Sequence, residues 1–336
     1  MTVRVLKYMW IVAFVAMTMM ATSCDGRVER YVEVRGQALG TSVQVKCCTD
    51  RSEAEIVKIV RRVDEEAKAS MSIFHPESLL SRVNRNETDS LDRHIIRNIE
   101  LAERFSVLSG GAYDITIKPL TDAWGFGREW RDVAPNVDSL LEFVGYDMIA
   151  VEDGRLVKGD SRVEIDLNSI AKGYTVDLVA EELEAMGIAN YMVNIGGEVR
   201  AKGVNDRGYA WSVGIETPYD GNMAQDSLEK IITLEDEAVA TSGNYRRFYL
   251  AEDGSKVAHT IDPVTGYSVV SELLSVTVVA PTCAEADAAA TMFMAMGSQE
   301  ATLALAEACE RDYGWRYYFI YADGEGYRVE CSEVFY

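Results

Sequence analysis

The chain has 336 residues, 48% hydrophobic and 26% charged, which is enough apolar material for one large core or two fused subdomains and too much for wholesale disorder. Its formal net charge is −21, with 54 Asp and Glu against 33 Lys and Arg. Such a surface repels nucleic acid and carries no offsetting Lys/Arg cluster, so no nucleic-acid partner is expected, and a phosphate-bearing ligand would need local help from a metal or backbone N–H groups.

Residues 1–23 read as a secretory leader: Arg4 and Lys7 precede an apolar run from Tyr8 to about Ala21, then Ala21, Thr22 and Ser23 lead into Cys24. A Cys directly after small residues resembles a lipobox, although Ala21 stands where a Leu is usual. The expectation is an exported, membrane-anchored lipoprotein facing the periplasm, held by a lipid on Cys24 with residues 24–30 as a tether. An ordinary signal peptide or anchor helix with a coincidental Cys is the alternative. Cys47, Cys48, Cys283, Cys309 and Cys331 show no zinc-like spacing, and a single bridge among them is left open.

Partial alternation around "GQALGTS" predicts two strands with a glycine turn between 31 and 47. Next comes a helix with Ile56, Ile59, Val60 and Val63 on one face, Ser52 as N-cap and Glu55 three residues on. "IFHPESLLSRVNRN" is a polar loop with one turn of helix, and "RHIIRNIELAERFSVLSGG" a second amphipathic helix closed by Gly110 and Gly111. "AYDITIKPLTDAWGFG" has no clean period and is expected to be a loop. Residues 136–165 hold a short helix and two strands about Asp153-Gly154. A helix with Val176, Val179, Leu183 and Met186 inward ends at Gly187.

"NYMVNIGGEVRAKG" is a buried strand meeting a double glycine, and "YAWSVGIET" and "DSLEKIITLE" are further strands. A hairpin about Asp253-Gly254 follows. Two helices, "CAEADAAATMFMAMG" and "SQEATLALAEAC", precede two closing strands. No linker divides residues 31–336, so the expectation is an α+β fold, a single large unit of mixed and antiparallel sheets with packed helices.

Several positions bear chemistry. Asp287 and Thr291 lie four apart on a helix, so a carboxylate and a hydroxyl leave one face, which suits a hard cation such as Mg²⁺ that takes the rest of its oxygens from phosphates and water. Lys172 opens a helix beside Gly173, where it meets a phosphate or simply faces solvent. Gly196-Gly197 after a strand fit either a bulge or close approach of a ligand, and the strand-forming residues that follow exclude a Rossmann turn. Thr241, Ser242 and Gly243 at a strand end suggest a turn that offers hydroxyls and amides to an anion, or an ordinary ST-turn. His259 precedes an Asp-Pro turn and is either structural or a general base.

Eight segments in one order, "LGTSVQV" (39–45), "MSIFHPESLLSRVN" (71–84), "GAYDITIKPLTDAWGFG" (111–127), "IDLNSIAKGYTVD" (165–177), "VNIGGEVRAKG" (193–203), "VATSGNYRRF" (239–248), "HTIDPVTG" (259–266) and "ADAAATMFMAMG" (286–297), resemble the bacterial ApbE family of FAD:protein FMN transferases. The resemblance implies a transferase domain over 31–336 that takes FAD as substrate and a divalent cation, usually Mg²⁺ with replacement by Mn²⁺ left open, and moves FMN to a Ser/Thr hydroxyl through a phosphoester. It implies acceptors that are flavoprotein subunits of membrane redox complexes.

By position it also implies a metal site at Asp287, Thr291 and the backbone carbonyl of Ser169, with His259 as catalytic base. FAD contacts fall at Tyr113, Asp114, Lys172, Gly196, Gly197, Thr241 and Ser242, the aromatic ring of Tyr113 being placed to stack on flavin or adenine. Asn168-Ser169 replaces a frequent Gly pair, Thr260-Ile261 replaces two hydrophobic residues, and Leu39 replaces a Met. Two other readings remain beside transfer: an FAD pyrophosphatase releasing FMN and AMP, and a surface lipoprotein that binds flavin without turnover.

Overall fold

Val43, Val45 and Cys47 alternate with more accessible neighbours, which turns one side of an early strand inward. That strand, β2 (Thr41–Thr49), pairs antiparallel with β1 (Arg30–Ala38) in register from Arg30↔Thr49 to Ala38↔Thr41. The computed structural model describes residues 30–127, 135–218, 228–244, 248–250, 254, 256–297, 299–324 and 326–335. The expected leader, Cys24 and all but the last residue of the tether lie outside them, as does Asp253. Among the described residues no helix is long and apolar enough to cross a membrane.

Helix α1 (Glu53–Met71) starts on a capping box: the Ser52 side chain accepts from the Glu55 N–H, and the Glu55 carboxylate accepts from the Ser52 N–H. Ile56, Val60 and Val63 face the core, as their spacing predicts. Helices α2 (Leu79–Asn84) and α3 (Arg93–Leu108) follow, then α4 (Lys118–Ala123) and α5 (Val137–Leu141). The stretch expected to be loop thus contains α4, which a proline in its first turn initiates without a side-chain cap. Its six residues are too few for a period to register in sequence.

Strands β3 (Ile149–Glu152) and β4 (Arg155–Lys158) make a small hairpin before helix α6 (Ala171–Ala185). β5 (Tyr191–Ile195), β6 (Glu198–Lys202), β7 (Trp211–Glu216), β8 (Leu228–Leu234), β9 (Glu237–Gly243), β10 (Phe248–Leu250), β11 (Lys256–Ala258) and β12 (Leu273–Ala280) come next. Helices α7 (Cys283–Met296) and α8 (Gln299–Tyr313), then β13 (Arg316–Asp323) and β14 (Gly326–Cys331), complete the order.

Eight strands form one antiparallel sheet in the order β1-β2-β5-β6-β9-β12-β13-β14. Ile56 of α1, Val176 of α6 and Phe293 of α7 pack with Val193 and Val276 of the sheet in the main core. On the other face, Trp211, Ile215, Ile232 and Leu234 of the β7–β8 hairpin cover Val199, Val239 and Ile320. Helix α7 is apolar on nearly every side and is accordingly buried around most of its circumference. A third cluster joins Leu120, Phe126, Val137, Val257 and Ile261, and it underpins the segment that carries His259. No disulfide links Cys47, Cys48, Cys283, Cys309 and Cys331.

Candidate active site

A cavity of about 1200 Å³ opens between the helical layer, the sheet and the loops around α4 and β11. All the site residues expected from the sequence line it: Tyr113, Asp114, Ser169, Lys172, Gly196, Gly197, Thr241, Ser242, His259, Asp287 and Thr291. It exceeds the roughly 300–1,000 Å³ that suits a drug-sized ligand, so it can take a dinucleotide.

Asp287 is held where α6 and α7 touch. Its Oδ2 accepts from the Gly173 N–H at 2.9 Å, one of the amides that the first turn of α6 leaves unpaired. Only glycine permits this approach: a Cβ on residue 173 would lie 2.2 Å from the Cys283 carbonyl oxygen. Asp287 is 4% exposed, and burial pushes its carboxyl up to about 7 against the pull of Lys172, with Glu198 adding to the rise. Lys172 lowers it too little because its ammonium is paired with Glu198. Burial opposes the charge on Lys172, but Glu198 and Asp287 outweigh it and raise the ammonium's pKa.

One turn beyond Asp287, α7 meets the sheet. Thr291 Oγ1 lies 3.1 Å from Ser242 Oγ, and Thr241 Oγ1 lies 2.8 Å from Thr277 Oγ1. Thr241 and Ser242, which the sequence suggests for an anion-binding turn or an ordinary ST-turn, lie instead within β9 just before its last residue Gly243, laddered to β12 as Thr241↔Thr277 and Ser242↔Val276. The ladder engages this stretch of backbone, so side-chain hydroxyls are what it can offer.

Tyr113 also departs from expectation. Its ring packs 5.8 Å from that of Phe105, and the residue is 2% exposed, so it is no open stacking platform. Its hydroxyl meets Ser169 Oγ at 2.8 Å and so orients the loop that presents Ser169. Asp166 shapes the same loop by accepting from the Asn168 N–H at 2.8 Å. Asp114 Oδ1 accepts from both the N–H and the hydroxyl of Thr116, and burial raises the pKa of its carboxyl.

Gly196 and Gly197 form a two-residue hairpin turn rather than a bulge, since Ile195 pairs with Glu198 across it. Both have positive φ, 68° and 111°, as a type I′ turn requires. His259 follows β11 directly, with the edge of its ring toward Phe126 at 6.3 Å.

Sequence reasoning passed over Glu198, Asp166 and Asn244, the last accepting from the Thr260 hydroxyl at 2.6 Å. Glu198 had a signal, its place directly after the glycine pair. Asp166 had one too, since its contact to Asn168 is a local Asx turn, whereas the Asn244–Thr260 contact spans 16 residues and leaves no local pattern. Among the described residues no three His, Cys, Asp or Glu converge as a metal cage. One buried carboxylate with neighbouring hydroxyls fits a hard cation that shares its shell with phosphate and water, and does not fit a closed zinc centre.

The fold and cavity define an α+β protein with one site large enough to hold a dinucleotide. The ApbE family model matches residues 39–314, and the chain belongs to the ApbE family. It is 37% identical over 309 residues to the FAD:protein FMN transferase of Vibrio cholerae, covering 89% of this chain and 90% of that one. The Haemophilus influenzae protein of the same name is 34% identical over 337 residues, 96% of this chain and 95% of that one. The solved flavin transferase ApbE from Vibrio cholerae superposes with a TM-score of 0.81 at 34% identity, covering 91% of this chain and 98% of that one. The apo flavinyl transferase ApbE of Pseudomonas stutzeri gives 0.80 at 27% identity, over 91% and 96%.

Proposed function

We propose that this chain transfers FMN from FAD to a Ser or Thr hydroxyl of an acceptor protein, through a phosphoester and with release of AMP. Family membership and transferase relatives along most of the chain support FMN transfer from FAD to a protein. The single observation that carries the mechanism is that Asp287 and Thr291 leave one face of α7 into the cavity, with Ser242 Oγ beside Thr291.

Asp287, Thr291 and the Ser169 carbonyl would hold Mg²⁺. Held there, the cation would supply charge neutralisation for the diphosphate and for its transition state. Lys172, fixed by Glu198, adds a positive charge at the start of α6 for the same diphosphate. His259 takes the proton of the acceptor hydroxyl as its oxygen bonds to the flavin-side phosphorus and the bond to the AMP oxygen breaks. Gly196 lets the turn pack on Thr41, where a Cβ would lie 2.7 Å from its methyl, and Gly197 leaves open space at the cavity wall.

The acceptors proposed are flavoprotein subunits of membrane redox complexes. A lipid on Cys24 of an exported chain would hold the enzyme at the periplasmic membrane surface beside them.

Incubating the protein with FAD, Mg²⁺ and a candidate acceptor, followed by intact-mass spectrometry, tests this reading. The acceptor should gain the mass of one FMN, and AMP should appear in equal amount. FMN and AMP released into solution with no labelled acceptor would instead identify a pyrophosphatase. FAD bound and unchanged would identify a flavin-binding protein.

A further inference from the structure

Two buried carboxylates near the cavity are used in opposite ways. Asp177 on α6 commits both oxygens inside the protein: Oδ1 accepts from the Cys283 N–H at 2.9 Å and from Arg200 at 2.8 Å, and Oδ2 from the Ala284 N–H at 2.8 Å. It is a structural carboxylate that caps α7. Glu198 commits only one. Its Oε1 pairs with Lys172, while Oε2 is buried and has no hydrogen-bond partner among the described residues. The side chain is 3% exposed, and the residue lines the cavity directly after the Gly196-Gly197 turn.

An ionised carboxylate oxygen only accepts, so what completes Glu198 must bring a donor. A buried polar atom without one is costly and is rare in folded proteins. The cavity's ligand narrows the choice. The phosphate oxygens of a dinucleotide carry negative charge and repel a carboxylate. The nearest donors along such a molecule are hydroxyls of the ribityl chain on one side of the diphosphate and of the ribose on the other. Lys172 is the fixed point, because the ammonium that Glu198 holds is the group placed to meet the diphosphate.

We propose that Glu198 is a substrate-binding residue: one carboxylate oxygen holds Lys172, and the other accepts a hydrogen bond from a ribityl or ribose hydroxyl flanking the diphosphate of FAD. This rests on FAD occupying the cavity. It makes Glu198 a specificity determinant, since inorganic diphosphate lacks the hydroxyl. A staple between α6 and β6 would need the Lys172 contact alone.

Dissociation constants of FAD, and of analogues each lacking one ribityl or ribose hydroxyl, are measured by calorimetry with Mg²⁺ and no acceptor for the full chain and for Glu198→Gln. At least one analogue should bind the unmodified protein about tenfold more weakly than FAD, as loss of a hydrogen bond to a charged group predicts. The penalty for the same analogue should be smaller in Glu198→Gln, because carboxylate and hydroxyl form one coupled pair and a neutral amide holds the hydroxyl more weakly than a carboxylate. Equal losses in both proteins, for every analogue, would overturn the proposal. Should Glu198→Gln fail to fold by circular dichroism, the unmodified protein decides alone: an analogue series that binds as FAD does removes the hydroxyl contact. An unmodified chain that does not bind FAD at all would instead remove the reading on which this rests.

Discussion

Gly173 and Asp287, which are 114 residues apart in sequence, meet through a 2.9 Å hydrogen bond from the glycine N–H to the carboxylate. A Cβ on residue 173 would sit 2.8 Å from the Asp287 Cβ as well as against the Cys283 carbonyl. Gly173→Ala should therefore separate α6 from α7 and cost about 1–3 kcal/mol by overpacking. The same displacement moves Asp287, so Mg²⁺ dependence should shift together with stability. Urea denaturation and an Mg²⁺ titration of activity check both. A variant with unchanged midpoint and unchanged Mg²⁺ response would show that the helices do not depend on this contact.

Asp177 does for the start of α7 what Gly173 does for its flank. It supplies acceptors to two first-turn amides and pairs with Arg200, a largely buried guanidinium. Asp177→Ala leaves those amides unpaired and removes the closest partner of Arg200, which should cost about 3 kcal/mol or more. Denaturant midpoints measure it. Loss of a few tenths only would mean that water replaces the cap without penalty.

These two relationships mark the limit of what the sequence displays. Caps, periods and turns are local, so the Ser52–Glu55 box, the opening hairpin and the Asp287/Thr291 face are legible within a dozen residues. The order of the motifs made the site readable as a set. Which side chain meets which was not, because Gly173–Asp287, Asp177–Cys283 and Lys172–Glu198 are contacts between elements distant in the chain. Thr241 and Ser242 looked like a turn because hydroxyls and a glycine end the run, yet pairing with β12 keeps them extended. Tyr113 looked like a platform because aromatic rings near a ligand often are, but burial is decided by Phe105, which no local pattern reports.

Burial lifts the Asp287 carboxyl to about 7, Lys172 pulling against the rise and Glu198 adding to it. In the unfolded chain the group titrates near the usual ~3.9. Stability from its protonated form is thus fully present below about pH 4 and is lost as pH rises through about 7. In metal-free protein, the stability of the unmodified chain relative to Asp287→Asn should fall across that window. Binding of Mg²⁺ requires the ionised carboxylate, so affinity should grow over the same range. Denaturation of both proteins at several pH values between 4 and 8 decides it. A constant difference would mean that Asp287 is ionised throughout.

His259 stands on a backbone that its buried neighbours hold in place. Val257 and Ile261 on either side of it are buried with Leu120, Phe126 and Val137, so the cluster sets the backbone on which the imidazole stands. His259→Gln leaves that cluster intact and keeps a polar group of similar reach, but removes the imidazole proposed as the base. Transfer to the acceptor should drop by roughly 10²–10⁴-fold, the range for a general base, while FAD affinity stays within about threefold. Rates from acceptor mass and affinities from FAD titration separate the two effects. A parallel loss of affinity and rate would make His259 a binding residue, and full transfer in His259→Gln would send the proton to another group of the cavity, with Asp114 and Asp166, whose carboxyl pKa values burial raises, as the candidates.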